Sequence, residues 1–200
     1  MKIFFDVGAN YGTSSLDIAR NDPNTTVYAF EPTPFLIEHL KKESKNLKNY
    51  HIVPAAVSDY NGKSKFNIAG VEDWGCSSLL EFSDNTKHWG NRNFTVTDII
   101  EVDVIKLSDF IKENKIQKID YFHCDTQGSD LNVLVGLENY IYIIEEGMIE
   151  AAGAEDILYV NQNSVEECLV FLQAHNFVIT DMIPDNYGFE FNIKFKKENK

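Results

Sequence analysis

The sequence predicts a doubly wound α/β domain, a mostly parallel sheet closed by an antiparallel C-terminal strand, and three observations carry that prediction. Short apolar runs alternate with helical apolar stripes from the first residues onward, the β-α-β signature of a parallel sheet covered on both faces. The first run, Lys2 to Val7, passes directly into a turn with two glycines flanking Asn10, in the order strand, glycine turn, helix that nucleotide-binding folds use. The chain closes with two strand-like runs, Phe177 to Ile183 and Phe189 to Phe195, joined through Pro184-Asp185-Asn186, so the last strand runs against its neighbours.

Taken in order, Ile3, Phe4, Phe5 and Val7 suit a strand buried on both faces, and Gly8 and Gly12 permit a sharp turn and a close backbone approach to a ligand. Thr13, Ser14 and Ser15 are candidate caps of the following helix, with Ser14 and Asp17 at capping-box spacing. Asn21-Asp22-Pro23-Asn24 is a dense turn signal before Thr26-Val27-Tyr28-Ala29-Phe30, a second strand with Glu31 at its carboxyl end. Thr33 and Pro34 then supply a cap and a first-turn proline for a helix with Leu36, Ile37 and Leu40 on one face. His51 to Val57 reads as a third strand, which Pro54 confines to an edge or a bulge because proline cannot donate to the ladder. Asn61-Gly62, followed by Lys65-Phe66-Asn67-Ile68, is the strongest hairpin signal and predicts an antiparallel extension beside that strand.

From Val71 to about Thr95 the periodicity disappears, and a loop this long inside a compact domain is usually functional or mobile. It is expected to be a substrate-side lid carrying Trp74, His88 and Trp89, with an ordinary surface excursion as the plain alternative. Regular structure resumes at Ile99 to Val104, followed by a helix with Leu107, Phe110 and Ile111 as its apolar stripe. Ile119 to Asp125 is the fourth main strand, and Thr126-Gln127-Gly128-Ser129 turns into a helix carrying Leu131, Leu134 and Val135. Met148-Ile149-Glu150 is the next strand, and Ser164 with Glu167 forms a capping box for a helix with Val165, Leu169 and Leu172 inward. No repeat, low-complexity tract or linker interrupts this order, so residues 1–200 read as one domain.

Composition narrows the partners. Lys plus Arg total 18 against 31 Asp plus Glu, and the net charge of -13 repels a phosphate backbone, which argues against nucleic acid. No stretch approaches the ~18 consecutive apolar residues of a membrane span, and the first strand begins at once, leaving no room for a signal peptide. Cys76, Cys124 and Cys168 are odd in number, far apart and without metal-ligand spacing, so they read as reduced thiols of a cytoplasmic protein that holds no metal.

Asp6, Glu31, Asp125 and Glu150 all sit near the carboxyl ends of strands, where doubly wound sheets bind their ligands. A dinucleotide fingerprint needs G-x-G-x-x-G, whereas Gly8-Ala9-Asn10-Tyr11-Gly12-Thr13 has Asn and Thr at the second and third glycine positions. Walker-type spacing is also missing. A ligand with ribose and amino-acid portions but no phosphate, such as S-adenosyl-L-methionine, fits better. Glu31, nineteen residues beyond Gly12, is placed to accept both ribose hydroxyls.

These residues lead to a resemblance. Phe5-Asp6-Val7-Gly8-Ala9-Asn10-Tyr11-Gly12, Tyr28-Ala29-Phe30-Glu31-Pro32, Ala55-Ala56-Val57-Ser58-Asp59 with Gly62, Cys76-Ser77-Ser78-Leu79, and Asp120-Tyr121-Phe122-His123-Cys124-Asp125 with Gly128 occur in the order of the FkbM-type methyltransferases, which the chain resembles over nearly its whole length. The resemblance implies a Rossmann-like fold and transfer of methyl from S-adenosyl-L-methionine to a hydroxyl of a small-molecule or glycan acceptor. It assigns Gly8, Tyr11 and Gly12 to the cofactor loop, Asp6 and Asn10 to holding that loop and the amino-acid end, Glu31 to the ribose, and Ala56 and Val57 to the adenine. Members commonly carry Lys-x-Asp-x-Glu-Gly along the fourth strand, where this chain has His123-Cys124-Asp125-Thr126-Gln127-Gly128. A fixed positive charge is thereby replaced by a group that titrates near neutrality, and a carboxylate by an amide.

On the reaction side, Asp125, His123 and Gln127 are the candidate catalytic residues. Two positions apart on one strand, His123 and Asp125 would share a face, so the carboxylate could orient an imidazole base or place the cofactor's methionine portion. In the plain alternative, a backbone carbonyl satisfies His123 and Asp125 caps the next helix. The competing functions are a nucleotide-dependent oxidoreductase and a non-catalytic binding module of the same fold.

Overall fold

The structure, a computed structural model, describes residues 1–70, 74–84, 94–153, 157–185 and 188–198. Its central sheet has seven strands in the order β3 (Tyr50–Val53), β2 (Thr25–Phe30), β1 (Lys2–Val7), β7 (Ile119–Cys124), β8 (Ile144–Ala152), β10 (Glu190–Lys197) and β9 (Phe177–Pro184). β1 runs parallel to β2 and β7, and β10 runs antiparallel to both β8 and β9. The chain steps outward from β1 through β2 to β3, then returns to place β7 on the other side of β1. Strand order therefore reverses between β1 and β7, and a crevice opens there above the carboxyl ends.

Alternation along β1 builds two layers of core. Phe4 packs on one face with Leu16 and Ala19 of α1 (Thr13–Asn21) and Leu40 of α2 (Pro34–Glu43). Phe5 packs on the other with Leu107 and Ile111 of α3 (Leu107–Glu113), Leu134 of α4 (Asp130–Gly136) and Leu172 of α5 (Val165–Ala174). Phe5 is wholly buried, a gain of about 1.5–3 kcal/mol over exposure. α5 carries the expected capping box: Ser164 Oγ accepts from the Glu167 amide, and the Glu167 carboxylate accepts from the Ser164 amide.

Several local expectations give way to longer-range contacts. α1 begins with Gly12 in a left-handed conformation at its cap position and has no side-chain cap, which puts Ser14 inside the helix rather than at its cap, its side chain lying outside what the structure describes; Ser15 Oγ pairs with the Tyr50 hydroxyl at 3.0 Å. On α4, Val133 rather than Val135 joins Leu134 in the core. Pro54 does more than mark an edge. β3 ends before it, and Ala56–Val57 forms β4 in a second sheet of order β4-β6-β5, with β5 at Gly62–Ala69 and β6 at Val96–Ile105. The Asn61-Gly62 turn closes no hairpin with the third strand, because β6 lies between β4 and β5. The Asn61 side chain accepts from the Lys106 amide at 2.7 Å and donates to Asp109 at 2.6 Å, which ties the turn to the start of α3.

Candidate active site

A cleft of about 610 Å³, open solvent at its mouth included, lies where the strand order reverses. Its first wall is the glycine turn. Gly8 adopts φ 82°, and the Gly8 and Ala9 amides both donate to the Phe30 carbonyl at 3.0 Å, pulling the turn across the end of β2. A Cβ at Gly8 would lie 1.9 Å from the Asp125 carbonyl oxygen, so only glycine lets the two strand ends meet. The Asn10 amide donates to Glu31 Oε2 at 2.8 Å, and the Thr33 amide donates to Glu31 Oε1 at 2.8 Å. Burial to 4% exposure pushes the Glu31 carboxyl above its ordinary range, against the pull of those two amides and of the Thr33 side chain. Each oxygen keeps a further lone pair, and Glu31 lines the cleft. Asn10 lines it too, and its buried Oδ1 finds no donor among the described residues.

The cleft has an apolar end and an acidic end. Leu36, Ala56, Val57, Phe66 and Leu79 form the first, so Ala56 and Val57, expected near the adenine, both line the cleft. Asp125, Thr126, Gln127 and Ser129 form the second. Gln127 is the knot of that wall. Its Nε2 donates to Asp125 Oδ1 at 2.6 Å and to Glu150 Oε2 at 3.1 Å, its Oε1 accepts from the Tyr159 hydroxyl at 2.8 Å, and its carbonyl accepts from Ser78 Oγ at 2.7 Å. Behind it, burial and then the Asp125 charge push Asp130 up to about 7. Burial also lifts Glu190 to about 7, although Gln162 donates to it. Glu150 is driven well above its ordinary range by burial and by the surrounding carboxylates. Sequence reasoning did not find Asp130, Tyr159 or Glu190. Tyr159 and Glu190 arrive from distant segments by tertiary packing, whereas Asp130 opens α4 and is held locally by the Thr126 amide and hydroxyl.

His123 lies elsewhere. Its Nδ1 meets Asp6 Oδ1 at 2.8 Å, and it lines a separate cleft with Lys2, Tyr121 and Met148 rather than the one beside Gln127. β7 stops at Cys124, so Asp125 is already in the turn and the two-residue alternation does not carry to it. Burial works against the imidazolium, but the Asp6 hydrogen bond and charge outweigh it and raise the His123 pKa. Asp6 accordingly holds His123 and does not reach the cleft. The plain alternative fails as well: the His123 partner is a carboxylate, and α4 has Ser129 at its cap position with no side-chain cap. Tyr11 is 38% exposed with its ring against His39, and Gly12 is tight because a Cβ there would strike Leu40 and Tyr50; neither lines the cleft.

His88, Trp89 and about half of the expected lid, residues 71–73 and 85–93, lie outside the described residues. The part that is described is a pinned wall. Trp74–Cys76 forms a 3₁₀ turn whose Gly75 lines the cleft, Ser77 Oγ accepts from the Ala69 amide, Ser78 exchanges two backbone hydrogen bonds with Asn67, and the Tyr159 hydroxyl donates to the Cys76 carbonyl at 2.9 Å. Among the described residues no three His, Cys, Asp or Glu side chains are grouped for a metal ion, and no helix is long and apolar enough to cross a membrane.

Comparison with known proteins gives a consistent picture. The methyltransferase FkbM domain profile matches residues 6–179. The chain is 28% identical over 155 residues to 31-O-demethyl-FK506 methyltransferase FkbM of Streptomyces tacrolimicus, covering 68% of this chain and 60% of that protein. It is 24% identical over 139 residues to 2-O-methyltransferase NoeI of Sinorhizobium fredii, covering 67% and 56%. It thus spans little more than half the length of these relatives. Among solved structures, Aeropyrum pernix fibrillarin with natively bound S-adenosyl-L-methionine matches with a TM-score of 0.56 at 10% identity, over 98% of this chain and 65% of that one. M. capricolum TrmK with S-adenosyl-homocysteine matches with 0.54 at 14%, over 98% and 62%. At those identities the likeness is one of fold, and it agrees with the mostly parallel sheet and antiparallel closing strand.

Proposed function

The chain belongs to the FkbM methyltransferase family, and on that footing we propose that it is the catalytic domain of an S-adenosyl-L-methionine-dependent O-methyltransferase acting on a small-molecule or glycan hydroxyl. One observation carries the reading: a cleft at the strand-order reversal with an apolar end, a buried carboxylate between two amide donors, and an acidic end. The donorless Asn10 Oδ1 in the cleft is an acceptor suited to an ammonium or hydroxyl.

In this reading Glu31 takes the ribose hydroxyls, Leu36, Ala56, Val57 and Phe66 cover the adenine, and Asn10 with Asp125 faces the amino-acid end. The cofactor supplies a methyl group already activated on a sulfonium. The chain's own task is to align the acceptor hydroxyl, exclude water and take up its proton. Asp125 is the group on the cleft wall suited to accept that proton, with Gln127 fixing its direction; His123, which lines the other cleft, instead steadies Asp6 at the end of β1. A net charge of -13 supports an acceptor other than nucleic acid, and three cysteines outside any disulfide fit a cytoplasmic setting.

Isothermal calorimetry tests the proposal. S-adenosyl-L-methionine should bind the purified chain and be displaced by S-adenosyl-homocysteine, while NAD should give no heat. Binding of NAD in place of S-adenosyl-L-methionine would make the oxidoreductase reading the better one.

A further inference from the structure

Resting on the methyltransferase reading, we propose that Asp125 and Glu150 are a proton-sharing pair that distinguishes the positively charged cofactor from its neutral relatives: entry of positive charge beside the pair expels the shared proton to solvent.

The geometry carries this in three steps. First, the two carboxyls converge on one amide group, with Gln127 Nε2 2.6 Å from Asp125 and 3.1 Å from Glu150. The amide oxygen lies 2.8 Å from the Tyr159 hydroxyl, whose one proton is shared between it and the Cys76 carbonyl, and Ser78 holds the backbone of the same residue. Second, the amide brings no charge. Among the described residues no Lys or Arg forms an ion pair with Asp125, Asp130, Glu150 or Glu190. The titratable groups facing Glu150 are Asp125 at the end of β7, Asp130 of α4, Glu190 of β10 and the Tyr159 hydroxyl; Cys124 faces Asp125 and Asp130, and the His123 imidazole, itself paired with Asp6, also feels the charges of Asp125 and Asp130. With only that already paired imidazole nearby and no Lys or Arg ion pair, two carboxylates so placed cannot both ionise cheaply, so one keeps a proton. Burial and the surrounding carboxylates raise the Glu150 carboxyl, which is the direction that keeps a proton at this end of the cleft. Third, the cleft that Asp125 lines is also lined by Asn10, whose buried Oδ1 has no donor among the described residues. An acidic wall and an unfilled acceptor both ask for a positively charged hydrogen-bond donor.

S-Adenosyl-L-methionine carries its sulfonium and ammonium at the same end of the molecule. S-Adenosyl-homocysteine keeps only the ammonium, and methylthioadenosine has neither. The pair should therefore release the most proton to the first, less to the second and none to the third. No covalent bond changes in this step: Glu150 passes from acid to carboxylate and the buffer takes the proton.

The test is calorimetric titration of the whole chain with these three ligands at pH 7, in phosphate and in Tris, whose ionisation heats differ. The dependence of heat on buffer gives the protons released. Roughly one proton is expected for S-adenosyl-L-methionine, and its affinity should rise about tenfold per unit increase in pH below the raised pKa of Glu150. Glu150→Gln should still bind this ligand while losing the proton release and the pH slope. Should that variant fail to fold, the buffer and pH dependence of the wild type decides. Binding of S-adenosyl-L-methionine with no proton release, or release undiminished in Glu150→Gln, overturns the proposal alone. No binding of S-adenosyl-L-methionine at all overturns the methyltransferase reading and this proposal with it.

Discussion

Replacing Gly8 by alanine tests whether the cleft depends on direct contact between two strand ends. The added Cβ would sit 1.9 Å from the Asp125 carbonyl oxygen and 2.8 Å from its carbon. Heavy atoms do not approach so closely, so one backbone must retreat by roughly 1 Å or more. The Asp125 amide is bonded to the Val7 carbonyl at 2.9 Å, so a retreat pulls on the last hydrogen bond between β1 and β7 and moves the Asp125 carboxylate on the cleft wall. Overpacking of this kind costs about 1–3 kcal/mol. Holding an alanine at φ 82° adds about 1–2 kcal/mol. A loss of about 2–5 kcal/mol in a chain of this size lowers Tm by roughly 4–20 °C. Gly75→Ala is the matched control: it lines the same cleft, but its Cβ would meet only Asn10 Nδ2 at 3.8 Å, so its stability should change by no more than about 0.5 kcal/mol. The assay is thermal and urea unfolding of both variants, followed by ligand titration. A Gly8→Ala protein with wild-type Tm and wild-type binding would show that the β1–β7 contact does not set the cleft.

Other outcomes follow from single contacts. Glu31→Gln leaves at least one of the Asn10 and Thr33 amides without its charged acceptor, and hydrogen bonds to charged groups count for about 1.5–3 kcal/mol, so calorimetry should find S-adenosyl-L-methionine bound tenfold or more weakly; unchanged affinity removes Glu31 from the ribose. Because the His123 pKa is raised in the folded state, its pair with Asp6 stabilises fully below pH ~6.5 and loses that contribution as pH rises through the raised value. The Tm gap between wild type and His123→Asn should therefore be widest near pH 6 and narrow by pH 9, and a gap that widens would contradict the ion pair. Ser164→Ala breaks the capping box of α5 and should lower stability by about 1 kcal/mol in urea without affecting ligand binding.

What the sequence made legible was mostly local. β1, its glycine turn and Glu31 follow from residue type and spacing alone, and so does the α5 cap, because the interacting atoms lie a few residues apart. What it hid depends on register. His123 finds Asp6 because β7 lies beside β1 with those two residues opposite each other, and spacing along one strand cannot show this. The Asn61-Gly62 signal was sound chemistry, but β6 entered the gap and supplied longer ladders than a hairpin would. Tyr159 and Glu190 join Gln127 and Gln162 from distant segments, so their part in the acidic wall becomes visible only after the chain has folded.

The break at Pro54 also has a mechanical consequence. Because the chain leaves one sheet there and enters another, Ala56, Val57 and Phe66 belong to one ladder and the acidic end of the cleft to another, and the two are joined across the cleft by side-chain packing and by the Ser78 hydrogen bond to the Gln127 carbonyl. Glu31 and Asp125 stand on the large sheet's side, and Val57 and Phe66 on the small one's. A molecule seated in the cleft therefore bridges two sheets at once, and its contacts add to the few hydrogen bonds that already cross between them.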